Sequence, residues 1–126
     1  MLLELDTNGL TDRIIGCAIE VHRRLGPGLL ESVYEAALCI EFKRAGLRYS
    51  RQIGIPVTYR GELIGEHRPD LIVEERVIVE IKRVERMEPV HIAQMVTYLR
   101  MTELKVGLII NFNCATLREG IKRVLR

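Results

Sequence analysis

Hydrophobic and polar positions change period several times along the chain, and each change marks a predicted element. Leu10, Ile14, Ala18, Val21 and Leu25 recur at helical spacing, with Ile15 and Ile19 widening the stripe, so a first helix is predicted over 11–25. Thr7, Asn8 and Thr11 are its candidate caps. Leu25-Gly26-Pro27-Gly28 stops it and turns the chain. A second helix is predicted from Leu29 to Ala45, with Val33, Tyr34, Ala37, Leu38 and Phe42 on its apolar surface and Gly46 as its terminator.

After Gly46 the period drops to two. Ile53, Ile55 and Val57 alternate in a strand over 48–59, where Pro56 signals an edge or a bulge. Arg60-Gly61-Glu62 turns the chain into a second strand over 63–73, bent near Gly65 or Pro69, and a third follows over 77–84. These three read as an antiparallel meander. Glu88-Pro89 opens a helix running to about Leu104, with proline at its first position. Val90, Gln94, Tyr98 and Met101 share one face of it, which sets an amide and a phenol in a core-like stripe. Lys105 to Phe112, KVGLIINF, reads as a central strand buried on both faces. The spacing of Leu117, Ile121, Val124 and Leu125 predicts a last amphipathic helix over 115–126, with Arg118, Lys122, Arg123 and Arg126 on its polar side. The order is ααβββαβα. It implies an α/β fold: a mixed β-sheet flanked by helices on both faces, with a right-handed crossover making the third and fourth strands parallel.

The segment RPDLIVEERVIVEIK, residues 68–82, carries the candidate chemistry. Leu71-Ile72-Val73 and Val77-Ile78-Val79 flank the polar turn Glu74-Glu75-Arg76. Strand side chains alternate faces, so Ile78, Glu80 and Lys82 share one face while Val77, Val79 and Ile81 share the other. A three-residue turn sets Ile72 opposite Ile78 and Asp70 opposite Glu80. Like charges directly opposite are destabilising, so such a pair is expected to have something between it, and a divalent cation is the natural candidate. Glu-x-Lys by itself turns up by chance about once in every two chains of this length. The context adds weight, because these charges end strands that look buried on both faces.

Size and charge refine this. The 126 residues suit one domain over 1–126. The aromatic share is 5%, so the core is aliphatic. A net charge of +2 is compatible with nucleic acid without demanding it. Cys17, Cys39 and Cys114 are odd in number and far apart, which points to reduced thiols in a cytoplasmic protein. No run is long enough for a membrane span, and the acidic start MLLELDTNGLTD is unlike a signal peptide.

Asp ending one strand, Glu-x-Lys in the next and a following helix with Gln resembles the PD-(D/E)xK nuclease superfamily. Gly28-Leu-Leu-Glu31-Ser-Val-Tyr34 further resembles the GxxExxY pattern of one small prokaryotic family within it. The likeness runs from about Ile14 to Val124 and includes Pro69-Asp70 literally and PVHIAQMVTYL at 89–99. It implies a restriction-endonuclease-like fold and a Mg²⁺- or Mn²⁺-dependent nuclease, with DNA the expected substrate. By the same resemblance, Asp70, Glu80 and the Ile81 carbonyl would hold metal and Lys82 would polarise water. Glu31 would be the helix-borne acid, a second metal contact or a group just behind the metal, and Gln94 and Tyr98 would line the site. Arg118, Lys122 and Arg123 are candidate phosphate contacts. Two other readings stand beside this one: a non-catalytic module on the same fold that binds nucleic acid or a protein partner, and a small structural homodimer.

Overall fold

The computed structural model describes residues 6–126, so the first five residues of the acidic N-terminal stretch lie outside it. The chain runs α1 (Thr7–Leu25), α2 (Glu31–Ala45), β1 (Tyr49–Arg51), β2 (Ile55–Tyr59), β3 (Glu62–His67), β4 (Leu71–Val73), β5 (Val77–Lys82), α3 (Pro89–Thr102), β6 (Val106–Asn111), a short 3₁₀ turn (Leu117–Gly120) and β7 (Ile121–Leu125). Five strands form one sheet in the order β1-β4-β5-β6-β7, and β2 pairs only with β3 in a separate ribbon. Within the sheet β5 and β6 are parallel and the other pairs antiparallel. The expected mixed α/β sheet flanked by helices is therefore present.

Each helix end has a physical cause. The α1 cap is Asp6, whose carboxylate accepts from the Gly9 N–H at 2.6 Å, so the helix begins four residues before the Thr11 start predicted. Gly46 ends α2 in the left-handed conformation, as its position predicted, and the Leu47 N–H returns to the Phe42 carbonyl at 2.9 Å. Glu88 and His91 form a reciprocal capping box around Pro89 at the start of α3.

Two aliphatic layers hold the sheet. On one face α1 and α2 cover Leu71, Val73, Val77, Val79, Ile81, Leu108 and Ile110. On the other, α3 covers Ile78, Ile109 and Val124 with Met95, Tyr98 and Leu99. The alternation read along residues 77–82 is thus realised, and β6 is buried throughout. Of the stripe predicted on α3, Tyr98 is buried, but Val90 is 66% exposed, so the packed side of the helix centres on Met95 and Leu99 instead.

Three predicted elements need correction. The strand over 48–59 is two strands in different sheets. Gln52, at φ +52°, breaks the run, and the chain leaves as the β2–β3 ribbon before rejoining the sheet as β4. The strand over 63–73 divides in the same way, so the meander in the main sheet is β1-β4-β5. The last helix is absent. Its N-terminal part is the 3₁₀ turn, and 121–125 pair antiparallel with β6 instead. Only Val124 of that strand is buried, so the helical spacing of 117, 121, 124 and 125 did not reflect one packed face.

Gly120 joins the 3₁₀ turn to β7, and a Cβ there would lie 2.2 Å from the Asn111 carbonyl oxygen. At Gly107 a Cβ would lie 2.3 Å from the Met95 sulfur, the movable end of a flexible side chain. Gly120→Ala should therefore cost about 1–3 kcal/mol and Gly107→Ala less. Urea unfolding of both variants checks this, and a Gly120→Ala protein as stable as wild type would contradict the close approach of the 3₁₀ turn to β6.

Candidate active site

The β4–β5 hairpin pairs Leu71 with Val79, Ile72 with Ile78 and Val73 with Val77, so the next rung outward sets Asp70 opposite Glu80. The three-residue turn closes through the Arg76 N–H to the Val73 carbonyl at 3.0 Å. Glu74 and Glu75 sit there at φ +52° and +55°, in the left-handed backbone that such a turn needs. Glu74 is the buried side of that turn, and Arg48 neutralises it, its guanidinium and backbone N–H both donating to the carboxylate. That pairing holds the Glu74 carboxyl below its usual range.

Asp70 and Glu80 are held differently. Their bonds cross: the Asp70 N–H donates to Glu80 Oε1 at 2.6 Å, and the Ile81 N–H donates to Asp70 Oδ2 at 2.7 Å. Each carboxylate is thus fixed by the backbone of the opposite strand, and no guanidinium touches either among the described residues. Glu80 is only 7% exposed. Burial, and next the charge of Asp70, push its carboxyl up to about 7. Burial also raises Asp70, against the stabilising Ile81 N–H. Lys82 lies on the Glu80 face with Nζ 4.0 Å from Glu80 Oε2, close enough to act on the same small volume without neutralising the pair.

The residues predicted around this pair differ in what ties them to it. Tyr98 is buried on the α3 side of the sheet, the side Glu80 faces, and burial and then the charges of Glu80 and Asp70 push its phenol up to about 12. Gln94, one turn earlier, is half-buried and makes no side-chain hydrogen bond among the described residues. Glu31 is the exposed first residue of α2, and its charge helps raise both Asp70 and Glu80, though it bonds neither. Ile81 contributes its N–H, while its side chain packs in the opposite core. Tyr34 of the same sequence pattern is structural: its hydroxyl donates to the Gly26 carbonyl at 2.6 Å and accepts from the Leu29 N–H at 3.1 Å, and its ring stacks on Phe112. It pins the loop that starts α2 and so sets where Glu31 stands.

The basic trio does not share a helix face. Arg118 is exposed on the 3₁₀ turn, and Lys122 and Arg123 are consecutive on β7 and so point to opposite faces. Glu80, Ile109 and Lys122 occupy one rung across β5, β6 and β7, which puts Lys122 on the Glu80 face roughly 10 Å away. Arg123 faces the other side and bonds Asn8 on α1.

Three site-side residues escaped the sequence reading. Glu35, one turn after Glu31, is buried and accepts from Arg51 Nε at 2.9 Å and Gln52 Nε2 at 3.1 Å. Gln52 also reaches Asp70. His67, at the end of β3, packs its ring edge-on against Tyr98 at 5.9 Å. Four-residue spacing from Glu31 was the available signal for Glu35. Gln52 and His67 carried none, because the departure of the ribbon from the sheet places them. A concavity of about 740 Å³ between α1 and α2, bordered by Arg13, Glu20 and Arg44, lies apart from this pair.

Among the described residues no three of His, Cys, Asp and Glu gather into an all-protein metal cage. Two opposed carboxylates with few counter-charges still fit a cation such as Mg²⁺, which is held by one or two carboxylates and keeps several waters. No helix among the described residues is long and apolar enough to cross a membrane.

A family model described as the PD-(D/E)XK nuclease superfamily matches residues 8–124. Comparison with curated proteins and with solved structures finds no significant match.

The raised carboxyls make a pH signature. The folded protein holds these protons more tightly than the unfolded chain, so the metal-free fold gains stability below the window and loses it as pH rises through the folded pKa values. For Glu80, moved from 4.5 to about 7, the loss is about 3 kcal/mol. The melting temperature of metal-free protein should fall between about pH 5 and pH 8, and Glu80→Gln should flatten that fall. A wild-type melting temperature that is level across this range would mean that the pair is not desolvated.

Proposed function

Because the chain belongs to the PD-(D/E)XK nuclease superfamily, we propose that it is a Mg²⁺- or Mn²⁺-dependent nuclease that hydrolyses phosphodiester bonds in DNA. The observation that carries this reading is the Asp70–Glu80 pair, two desolvated carboxylates locked face to face by crossed backbone bonds with Lys82 beside them. The GLLESVY pattern at 28–34 supports a place among the GxxExxY proteins, and with it a prokaryotic, cytoplasmic setting for residues 1–126 acting as one domain.

Asp70 and Glu80, with the Ile81 carbonyl, would hold the cation, and Glu31 stands where it could add a contact through water. A bound divalent metal supplies a Lewis acid that offsets charge on the scissile phosphate and acidifies water. Lys82 orients the attacking water and sets a fixed positive charge where negative charge develops on the phosphate. Tyr98 and Gln94 wall the site from α3. Lys122, on the same sheet face, is the best placed of the three basic residues to meet a neighbouring phosphate, ahead of Arg118 and Arg123.

An assembly with a second copy or a protein partner also has support. The β2–β3 ribbon exposes Tyr59, Leu63 and Ile64 by 64%, 70% and 65%, and one small domain offers little surface to a duplex. Size-exclusion chromatography with and without DNA reads this out.

Asp70→Ala and Glu80→Ala should each lower metal-dependent cleavage by about a hundredfold or more while the protein stays folded. Lys82→Ala should lose turnover far more than Mn²⁺ affinity. The assay is plasmid, linear and single-stranded DNA, and RNA, each with Mg²⁺, Mn²⁺ or EDTA. Wild-type cleavage rates in folded Asp70→Ala protein would remove the site.

Binding to DNA should also weaken steeply as salt rises, because phosphate contacts release counterions. A flat salt response would move the assignment toward the non-catalytic, partner-binding reading.

A further inference from the structure

Gln52 is an anomaly of the local fold. It follows Arg51, the last residue of β1, and its N–H continues the ladder by one rung, donating to the Asp70 carbonyl at 3.0 Å. Its φ of +52° lies in the left-handed region that side chains other than glycine rarely adopt. Glycine would serve such an exit from a strand with less strain, so the side chain at this position calls for a reason.

The reason is in the bonds it makes. Consecutive strand residues point to opposite faces, yet Arg51 and Gln52 both bond the Glu35 carboxylate, at 2.9 Å and 3.1 Å. The left-handed turn of the backbone is what lets the second residue reach the same partner as the first. From there Gln52 Nε2 also donates to Asp70 Oδ1 at 3.4 Å. An amide nitrogen carries two hydrogens, and here each has a carboxylate to meet. Because both partners are acceptors, the nitrogen and not the oxygen must face them.

Asp70 is consequently held at both oxygens, Oδ2 by the Ile81 N–H and Oδ1 by Gln52. Each oxygen keeps a further lone pair for another partner. The amide also lies between Glu35 and Asp70, two acids whose charges otherwise oppose each other.

We propose that Gln52 is a positioning residue: anchored by the Arg51–Glu35 ion pair, its amide fixes the carboxylate plane of Asp70 so that the remaining lone pairs meet a divalent cation. This rests on the proposed metal site. Gln52 touches neither metal nor substrate and acts through Asp70.

Isothermal titration with Mn²⁺ tests it in the full chain. Gln52→Gly keeps the left-handed backbone without strain and removes the side chain that bonds Glu35 and Asp70, so it should stay folded and bind Mn²⁺ about five- to tenfold more weakly. Gln52→Asn also accepts that backbone, but its amide is one methylene short, and it should lose affinity likewise. Glu35→Gln should weaken binding by itself and weaken it less in the Gln52→Gly background, because the part of its effect that runs through the amide is already lost there. In metal-free protein, the Ile81 amide resonance should shift in Gln52→Gly as Asp70 is released. Saturating Mg²⁺ should restore cleavage by Gln52→Gly toward the wild-type kcat, since positioning and not chemistry is lost. Wild-type Mn²⁺ affinity in Gln52→Gly, or an unmoved Ile81 resonance, overturns the proposal while leaving the metal site standing if Asp70→Asn still abolishes binding. Failure of the wild type itself to bind Mn²⁺ overturns both.

Discussion

A buried carboxylate and a half-buried one that repel each other are the constraint around which the rest of the molecule is arranged. Asp70 and Glu80 are opposed by hairpin register, and each is tied to the backbone of the other strand. Neither tie is a counter-charge, so the pair keeps its repulsion and the fold must hold it by other means. The packing provides this. Leu71, Val79 and Ile81 are buried under α1 and α2, Ile78 is buried under α3, and the parallel partner β6 is buried along its whole length. A slip of one residue would move that entire set to the opposite face and carry Glu80 and Lys82 into the α1–α2 core, so the apolar packing enforces a register that the charges oppose.

The acids nearby show what the chain does where no such tension is kept. Glu74 and Glu35 are as buried as Glu80, and each has an arginine from the β1 region, Arg48 and Arg51. Glu80 has only a lysine at 4.0 Å. Burial alone therefore does not single out the site. Burial without an arginine beside it among the described residues is what separates Glu80 from the other two, and it is the property that makes the pair a candidate site.

The site pair was legible in the sequence because a strand has a period of two and the turn is short: Glu74-Glu75-Arg76 between two apolar triplets fixes which residues face each other. The parallel β6 followed from its apolar run and the helix before it. Misreadings arose where the local pattern carried too few packed positions. Along β7 only Val124 is buried, so Leu117, Ile121 and Leu125 fitted helical spacing by coincidence, and pairing with β6 decided the outcome. Gln52 was invisible for another reason. A left-handed glutamine has no composition signature, so the point where the chain leaves the sheet could not be read, and neither could the approach of His67 to Tyr98. Glu31 and Glu35 stand one turn apart on α2, and only burial separates the exposed acid from the bonded one.

The ribbon has a consequence for how the chain can change length. At its base it is stitched to the sheet by the Gln52 N–H on Asp70 and by Arg68 on the Gln52 carbonyl, and Ile55 packs under α3. Beyond that base, Arg60 and Gly61 turn in solvent. Residues inserted at this tip leave the β4–β5 register untouched and add only the slowly growing entropy of a longer loop. One residue inserted at Glu74-Glu75-Arg76 would turn Asp70 away from Glu80. Insertions and deletions are thus partitioned: the hairpin is a ruler of fixed length, while the ribbon tip is a port where segments can be grafted without moving Asp70 relative to Glu80.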